Sequence, residues 1–334
     1  MQGRSGRVNT GEHARRWQRQ LVAIREETAR VPVTVLMPAY NSAATVQESA
    51  RSVQEQTFDD WRLLIIDDGS TDATPEVCKQ LVSQDERILY LRVNHIGFCS
   101  VLNLGLEVIG SPYVARLDSD DVAYPERLEK QMGFLARHPE VKVLGTFIDR
   151  VSGRGRRLLQ FRDGPTTLRE YEEWKASKKP FFLSHSSVVA DRQVLLECGG
   201  YRWQDYPADD VALWTRVAAT YPVLVLPEVL VKYRITPWGI SGRKQELMIL
   251  QWLRLDHKLR TGEELSVEEL RQRIQSNWIR RLRFRAGCIH KSALRTGGYL
   301  LANGQWLRGL GYILLGTLAE PQSVARRLWV EWRS

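Results

Sequence analysis

The sequence predicts an α/β fold: a mainly parallel β-sheet flanked by helices, followed by a helical extension. Three observations carry this. From Val33 to about Gly145, short apolar runs alternate with segments of helical periodicity, the pattern of βαβ units whose strands are covered on both faces. After about Arg243 the chain reads as helices only, rich in Trp, Arg and Leu. The 334 residues, 43% hydrophobic, suffice for one large domain with an appendage. The expected division is 1–30 as a leader, 31–242 as the α/β domain and 243–334 as the basic helical extension.

In the leader, Trp17, Leu21 and Ile24 recur at helical spacing, so Ala14–Arg30 is expected to be an amphipathic helix. "VTVLMP" (Val33–Pro38) reads as the first buried strand. Ser42 is placed to cap a helix whose apolar face is Val46, Ala50 and Val53. "WRLLIID" (Trp61–Asp67) is a second strand, and Thr74–Pro75 opens a helix to about Gln84. "ILYLRV" (Ile88–Val93), the helix Phe98–Ile109 and "YVARL" (Tyr113–Leu117) follow. A helix over Pro125–Arg137 leads to a strand at Val141–Gly145. Beyond Asp149 the rhythm is mixed: a hairpin at "GRGR", a helix near Leu168–Ser177, a strand around Ser186–Ala190 and a helix from Asp209 to Thr220.

Polar residues gather where the strands end. "PAYNS" follows the first strand, "DDGSTD" the second, "NHIGF" the third and "DSDD" the fourth. Open parallel sheets bind ligands beyond the carboxyl ends of their strands, so four such ends point to one crevice. Asp118 and Asp120 are the sharpest pair. Carboxylates this close repel one another, but an Asp-x-Asp turn can hold a divalent cation, Mn²⁺ or Mg²⁺, whose shell phosphate oxygens complete. The alternative is an acidic turn at the start of the next helix. Arg116, inside an otherwise apolar strand, needs a buried anion, either a carboxylate or a diphosphate.

The segments "VTVLMPAYNSAATVQESARSVQEQTF", "LLIIDDGSTD", "YVARLDSDDVAYPERLEKQ" and "HSSVVADRQVLLECGGYR…ADDVALW" resemble the family 2 glycosyltransferases, over about Val33 to Ser241. The resemblance implies a GT-A type, Rossmann-like fold and inverting transfer of a hexose from a nucleoside-diphosphate sugar, such as a UDP-sugar. By this likeness Pro38 and Tyr40 line the nucleotide base, Asp68 accepts a hydrogen bond from it, and Asp67 supports the strand end. Asp118 contacts ribose or metal, and Asp120 ligates the metal of the DXD motif. Asp210 falls in the general-base position, with Asp209 where the family has Glu. His185 falls near the donor sugar or the acceptor, or is a structural histidine. Trp203, in the loop before Asp209, is placed to stack on an acceptor sugar or simply to pack. Arg234 is placed to meet a phosphate of the diphosphate. Thr236 replaces a His that many relatives carry, which leaves a third protein metal ligand in doubt.

The implied role is surface polysaccharide or lipid-linked glycan synthesis, with a glycan or lipid-linked acceptor. The alternatives are a sugar-nucleotide nucleotidyltransferase and a non-catalytic membrane-surface protein that binds nucleotide sugars. The first wants a Gly-rich phosphate loop where "PAYNS" stands, and no GxGxxG follows the first strand to suggest a dehydrogenase.

Cys78, Cys99, Cys198 and Cys288 form no CxxC pair, so reduced thiols and a cytoplasmic setting are expected. No apolar run of about 18 residues suggests a transmembrane helix, and the N-terminus lacks the apolar core of a signal peptide. The formal charge is +9. From Arg271 onward twelve Lys/Arg meet only Glu320 and Glu331, so the excess lies entirely in the extension. There Trp278, Phe284, Trp306, Tyr312, Trp329 and Trp332 are interleaved with the arginines. Basic helices with aromatic anchors suit an anionic membrane surface, such as the inner face of the cytoplasmic membrane. A helical bundle packed on the body is the other reading, and no motif accompanies it to suggest nucleic acid.

Overall fold

A computed structural model describes residues 10–235 and 239–319. The elements run α1 (Thr10–Thr28), β1 (Val33–Ala39), α2 (Val46–Gln54), β2 (Trp61–Asp67), α3 (Thr74–Gln84), β3 (Ile88–Arg92), α4 (Phe98–Val108) and β4 (Tyr113–Arg116). Next come β5 (Val122–Ala123), α5 (Arg127–Arg137), β6 (Val143–Ser152), β7 (Arg157–Phe161), α6 (Leu168–Ala176), β8 (Val189–Asp191), α7 (Arg192–Glu197) and α8 (Asp209–Thr220). The chain closes with β9 (Val223–Ile235), α9 (Ile240–Arg243), α10 (Gln245–Thr261), α11 (Val267–Gln275), α12 (Trp278–Ala302) and α13 (Trp306–Ala319).

The strand order is β3-β2-β1-β4-β8-β6-β9-β5, with β7 on β6. The first four strands are parallel, so their polar carboxyl ends do lie side by side. All seven residues of β1 are buried, as a strand covered on both faces requires. Pro38 sits in this central strand without breaking it. The β4 ladder on β1 ends at Leu36↔Arg116, and the Leu36 carbonyl faces β4, accepting from Leu117 N–H. Two residues on, the nitrogen of Pro38 faces the same side, beyond the end of β4, where no N–H is wanted.

The sheet must curl. β4 and β5 are joined by residues 117–121 alone, yet β8, β6 and β9 lie between them in the sheet. Four strand spacings of about 4.8 Å exceed what this segment can span while Asp121 N–H closes a turn on the Asp118 carbonyl. Curling brings β5, paired to Val231 and Lys232 of β9, back over the end of β4.

Several local expectations need correction. Ser42 does not cap α2 with its side chain: Thr45 holds the N-cap position, and the Ser42 carbonyl accepts from Thr45 and Val46 N–H, both at 2.9 Å. The run at Ser186–Ala190 is a 3-10 turn, His185–Ser187, followed by β8. β6 extends to Ser152, and β9 and α7 had no counterpart in the sequence reading. Pro227 and Glu228 interrupt the apolar run of β9. The sheet absorbs them where the β6–β9 register shifts, between Leu226↔Thr146 and Val229↔Phe147.

The N-terminal helix packs on the body. Ile24 is buried in the main core, with Trp17 and Leu21 against it. Thr28 Oγ1 donates to the Ile24 carbonyl (2.7 Å) and accepts from Gly110 N–H (2.8 Å), tying α1 to the end of α4.

Candidate active site

The first corner of the site lies at the ends of β1, β2 and β3. Asp67, fully buried, accepts from Ser70 N–H at Oδ1 (2.8 Å) and from the Tyr90 hydroxyl at Oδ2 (2.7 Å). It thus braces the strand end. Asp68 accepts from Ile96 N–H (2.7 Å) and Gly97 N–H (3.1 Å), and His95 Nδ1 lies 3.0 Å from its Oδ2. Its carboxylate therefore fixes the loop after β3. Between the two loops Gly69 takes φ +74°, and a Cβ there would lie 2.9 Å from His95 N, so the turn admits only glycine. The exposed Tyr40 ring and the His95 ring face each other with centroids 4.6 Å apart. Beside them a cavity of about 500 Å³ is lined by Gly69, Arg92, Val93, Asn94 and His95. Pro38 is buried in β1, beneath this corner rather than at its surface.

The second corner is the turn after β4. Asp118 receives Arg116 Nη2 (2.7 Å), and its N–H donates to Ser186 Oγ (3.1 Å). Ser119 Oγ meets Ser42 Oγ at 2.8 Å, joining this turn to the β1 loop. Burial, with the charge of Asp118 next, pushes Asp120 up to about 6. Asp121 is buried beneath it: Oδ1 accepts from Arg234 N–H (2.7 Å) and Oδ2 has no partner. Arg234 is a clamp on this turn. Its guanidinium donates to the carbonyls of Asp120 and Gly153, both at 2.7 Å, and to Glu48 (2.8 Å). Thr236 lies outside the described residues.

The third group opens α8. Burial, with the charges of Asp118 and Asp205 added, raises Asp209 to about 6, and its buried Oδ2 has no hydrogen-bond partner. Burial, then the charge of Asp209, pushes Asp210 up to about 7, although its Oδ1 accepts from Val211 N–H (2.7 Å). The charge of Asp118 contributes to both shifts.

Arg116 joins the acid turn to His185, whose ring packs edge-on against Trp214 of α8 with centroids 5.8 Å apart. Arg116 is buried, and its Nη1 donates to the Leu36 carbonyl while Nε donates to His185 Nε2 (3.1 Å). Of the two anions considered for it, the structure supplies the carboxylate, Asp118. His185 Nε2 also lies 2.8 Å from the Tyr201 hydroxyl. Burial and Arg116 hold this imidazole well below the usual histidine range, so it is neutral and accepts from the guanidinium. His185 is thus positioned under Arg116. Trp203, 60% exposed, stacks on Tyr206 with centroids 4.9 Å apart. Its ring would lie 3.4 Å from a Cβ at Gly97, so it overhangs the loop held by Asp68.

Sequence reasoning located "NHIGF" at the crevice but missed the pairing of His95 with Tyr40. It also missed Tyr201 and Asp205. Asp205 binds Arg216 (3.1 Å) and Arg254, fixing the segment before α8. A buried acid flanked by distant arginines has no local signature. Among the described residues, no group of three or more His, Cys, Asp or Glu is arranged to hold a metal. Asp118 and Asp120 offer two carboxylates, hard oxygen donors, at this turn. The raised pKa of Asp120 marks a carboxylate short of compensating charge, which fits an added cation.

Comparison with known proteins bears on this arrangement. The family model described as glycosyl transferase family 2 matches residues 34–196. An uncharacterized glycosyltransferase of Haemophilus influenzae is 27% identical over 61% of this chain and 65% of its own length. The putative glycosyltransferase EpsE of Bacillus subtilis is 31% identical over 55% and 66%. AmsE of Erwinia amylovora, an amylovoran biosynthesis glycosyltransferase, is 29% identical over 63% and 79%. The chain thus spans slightly under two thirds of the first two relatives. Among solved structures, the mannosyltransferase PcManGT of Pyrobaculum calidifontis, in complex with GDP-Man and Mn²⁺, aligns at TM-score 0.54 and 19% identity. It covers 93% of this chain and 94% of its own. S. aureus TarS 1-349 with UDP-GlcNAc aligns at TM-score 0.55 and 15% identity, over 88% and 92%. At such identities the likeness concerns the fold, which is of the GT-A type. Residues 34–196 thus match a family 2 glycosyltransferase domain, set in a fold of the GT-A type.

Proposed function

We propose that this protein transfers a hexose from a nucleoside-diphosphate sugar to an acceptor hydroxyl, with inversion at the anomeric carbon, in the assembly of a surface polysaccharide or lipid-linked glycan. The observation that carries it is that the acid turn and α8 share one buried group: Arg116 holds Asp118 and His185, and His185 packs against Trp214 of the helix that Asp209 and Asp210 open. The relatives named for amylovoran and teichuronic acid biosynthesis support the polysaccharide setting.

In this reading the base of the donor stacks on the exposed Tyr40 ring, beside His95, over the loop that Asp68 holds. The acceptor oxygen bonds to the anomeric carbon as the bond to the β-phosphate oxygen breaks. Its proton passes to Asp210, and the nucleoside diphosphate departs from the opposite face. A base must sit near the working pH to be both ionised and basic, and the raised pKa of Asp210 meets that demand. A divalent cation held by Asp118 and Asp120, Mn²⁺ or Mg²⁺, would neutralise charge on the departing diphosphate. Arg116 keeps Asp118 at the turn and Asp210 awaits the acceptor, so the two acids divide leaving-group and nucleophile work.

The test is a panel of UDP- and GDP-sugars, each with and without Mn²⁺, followed by thermal stabilisation and then by product analysis. One nucleotide sugar should stabilise the protein in a metal-dependent way and be consumed with an acceptor. Stabilisation by none of them would remove the proposal.

A further inference from the structure

The α12–α13 hairpin shows two unlike faces. Where the helices meet, glycine permits close approach. A Cβ at Gly297 would lie 2.9 Å from the Gly309 carbonyl, and one at Gly316 would lie 3.2 Å from the His290 carbonyl. His290 Nδ1 lies 2.8 Å from the Gly316 carbonyl, in the buried seam. The opposite side of α13 carries Leu307, Leu310, Leu314 and Leu318, which are 89%, 56%, 60% and 70% exposed. Their spacing makes one continuous apolar stripe. On α12, Trp278, Leu282 and Ile289 recur along another exposed face, with Arg281 and Arg285 three and four residues from them, hence beside them on the helix surface. Arg280, Arg281, Arg283, Arg285 and Arg308 form no ion pair among the described residues.

We propose that this hairpin is a docking surface for an anionic lipid bilayer: the α13 leucine stripe enters the interface, and the unpaired arginines of α12 meet lipid phosphates. Charge complementarity selects the occupant. Apolar stripes alone would suit any partner, but exposed Trp and Leu bordered by uncompensated arginines suit apolar chains beneath anionic headgroups. Among the described residues no helix is long and apolar enough to cross a membrane, so in this proposal α13 lies along the surface.

The hairpin is fastened near the acid turn. A Cβ at Gly153 would lie 3.8 Å from the Tyr299 ring, and the Gly153 carbonyl accepts from Arg234, which also holds Asp120. Docking would therefore fix the catalytic corner relative to the bilayer. The proposal stands apart from the assignment of the reaction, because lipid binding is read without turnover.

The experiment is co-sedimentation of the full chain with phosphatidylcholine vesicles, with and without phosphatidylglycerol. Binding should require phosphatidylglycerol. Leu307→Asp with Leu314→Asp should weaken it at least tenfold, roughly the loss expected for two buried leucines. Arg281→Gln and Arg285→Gln should each weaken it by roughly fivefold. All four positions are exposed, and an unchanged melting temperature checks that each variant folds. Failure of the unaltered chain to bind anionic vesicles would overturn the proposal, as would undiminished binding by the leucine pair. Two other occupants would also overturn it. A lipid-free dimer that the leucine pair dissolves would assign the stripe to a second copy. Vesicle binding that emerges only after removal of residues 320–334 would assign it to that segment. Retention on duplex DNA without vesicle binding would point to nucleic acid and refute the lipid surface.

Discussion

Asp210 combines burial with a like-charged neighbour, and both act in one direction. Asp210→Asn should leave donor affinity unchanged by calorimetry and lower kcat by about 10²–10⁴-fold. Activity should rise with pH through about 7, as the base ionises. Stability should move the other way. A carboxyl whose folded pKa lies above its unfolded value binds its proton more tightly in the native state, so stability falls as pH rises between the two. For Asp209 that window runs from 3.8 to about 6. Asp209→Asn should therefore raise Tm by about 2–4 °C at pH 8 and much less at pH 4. The Tyr40–His95 pair allows a third check: Tyr40→Ala should weaken donor binding by about three- to tenfold, the usual worth of one aromatic contact. These residues differed in legibility. Asp118 and Asp120 stood out because carboxylates crowded at a strand end demand a reason, whereas Asp210 was named only through the family resemblance, an acid that opens a helix being ordinary. The role of His185 as a neutral prop for Arg116 was not legible, because it depends on residues 69 positions apart.

At the scale of elements, β1 to β4 were visible because doubly covered strands must be near-continuously apolar. β9 was hidden because Pro227 and Glu228 break its pattern, and only pairing with β6 makes it a strand. That omission mattered, since β9 delivers Arg234 to the Asp120 turn. Arg234→Gln should loosen the turn without unfolding the sheet. Hydrogen exchange at Asp121 and Val122 should quicken, and metal-dependent donor binding should weaken, while Tm falls only modestly. Unchanged exchange there would show that β5–β9 pairing alone holds the turn.

For the whole molecule, the sequence located the basic excess in the C-terminal extension, and the structure gives it a form: a glycine-seamed hairpin whose outer face is apolar. The leader helix belongs to the body, held there by Ile24 and Thr28. The turn bearing Asp118 and Asp120 has a second duty in this architecture. It is also the strap that draws the sheet's far edge back toward its middle. Inserting one glycine after Ser119 would lengthen a tether as well as shift a ligand. The sheet would be free to flatten, the distance from the acid turn to Asp210 would grow, and the leaving-group and nucleophile sides of the cleft would lose their spacing together.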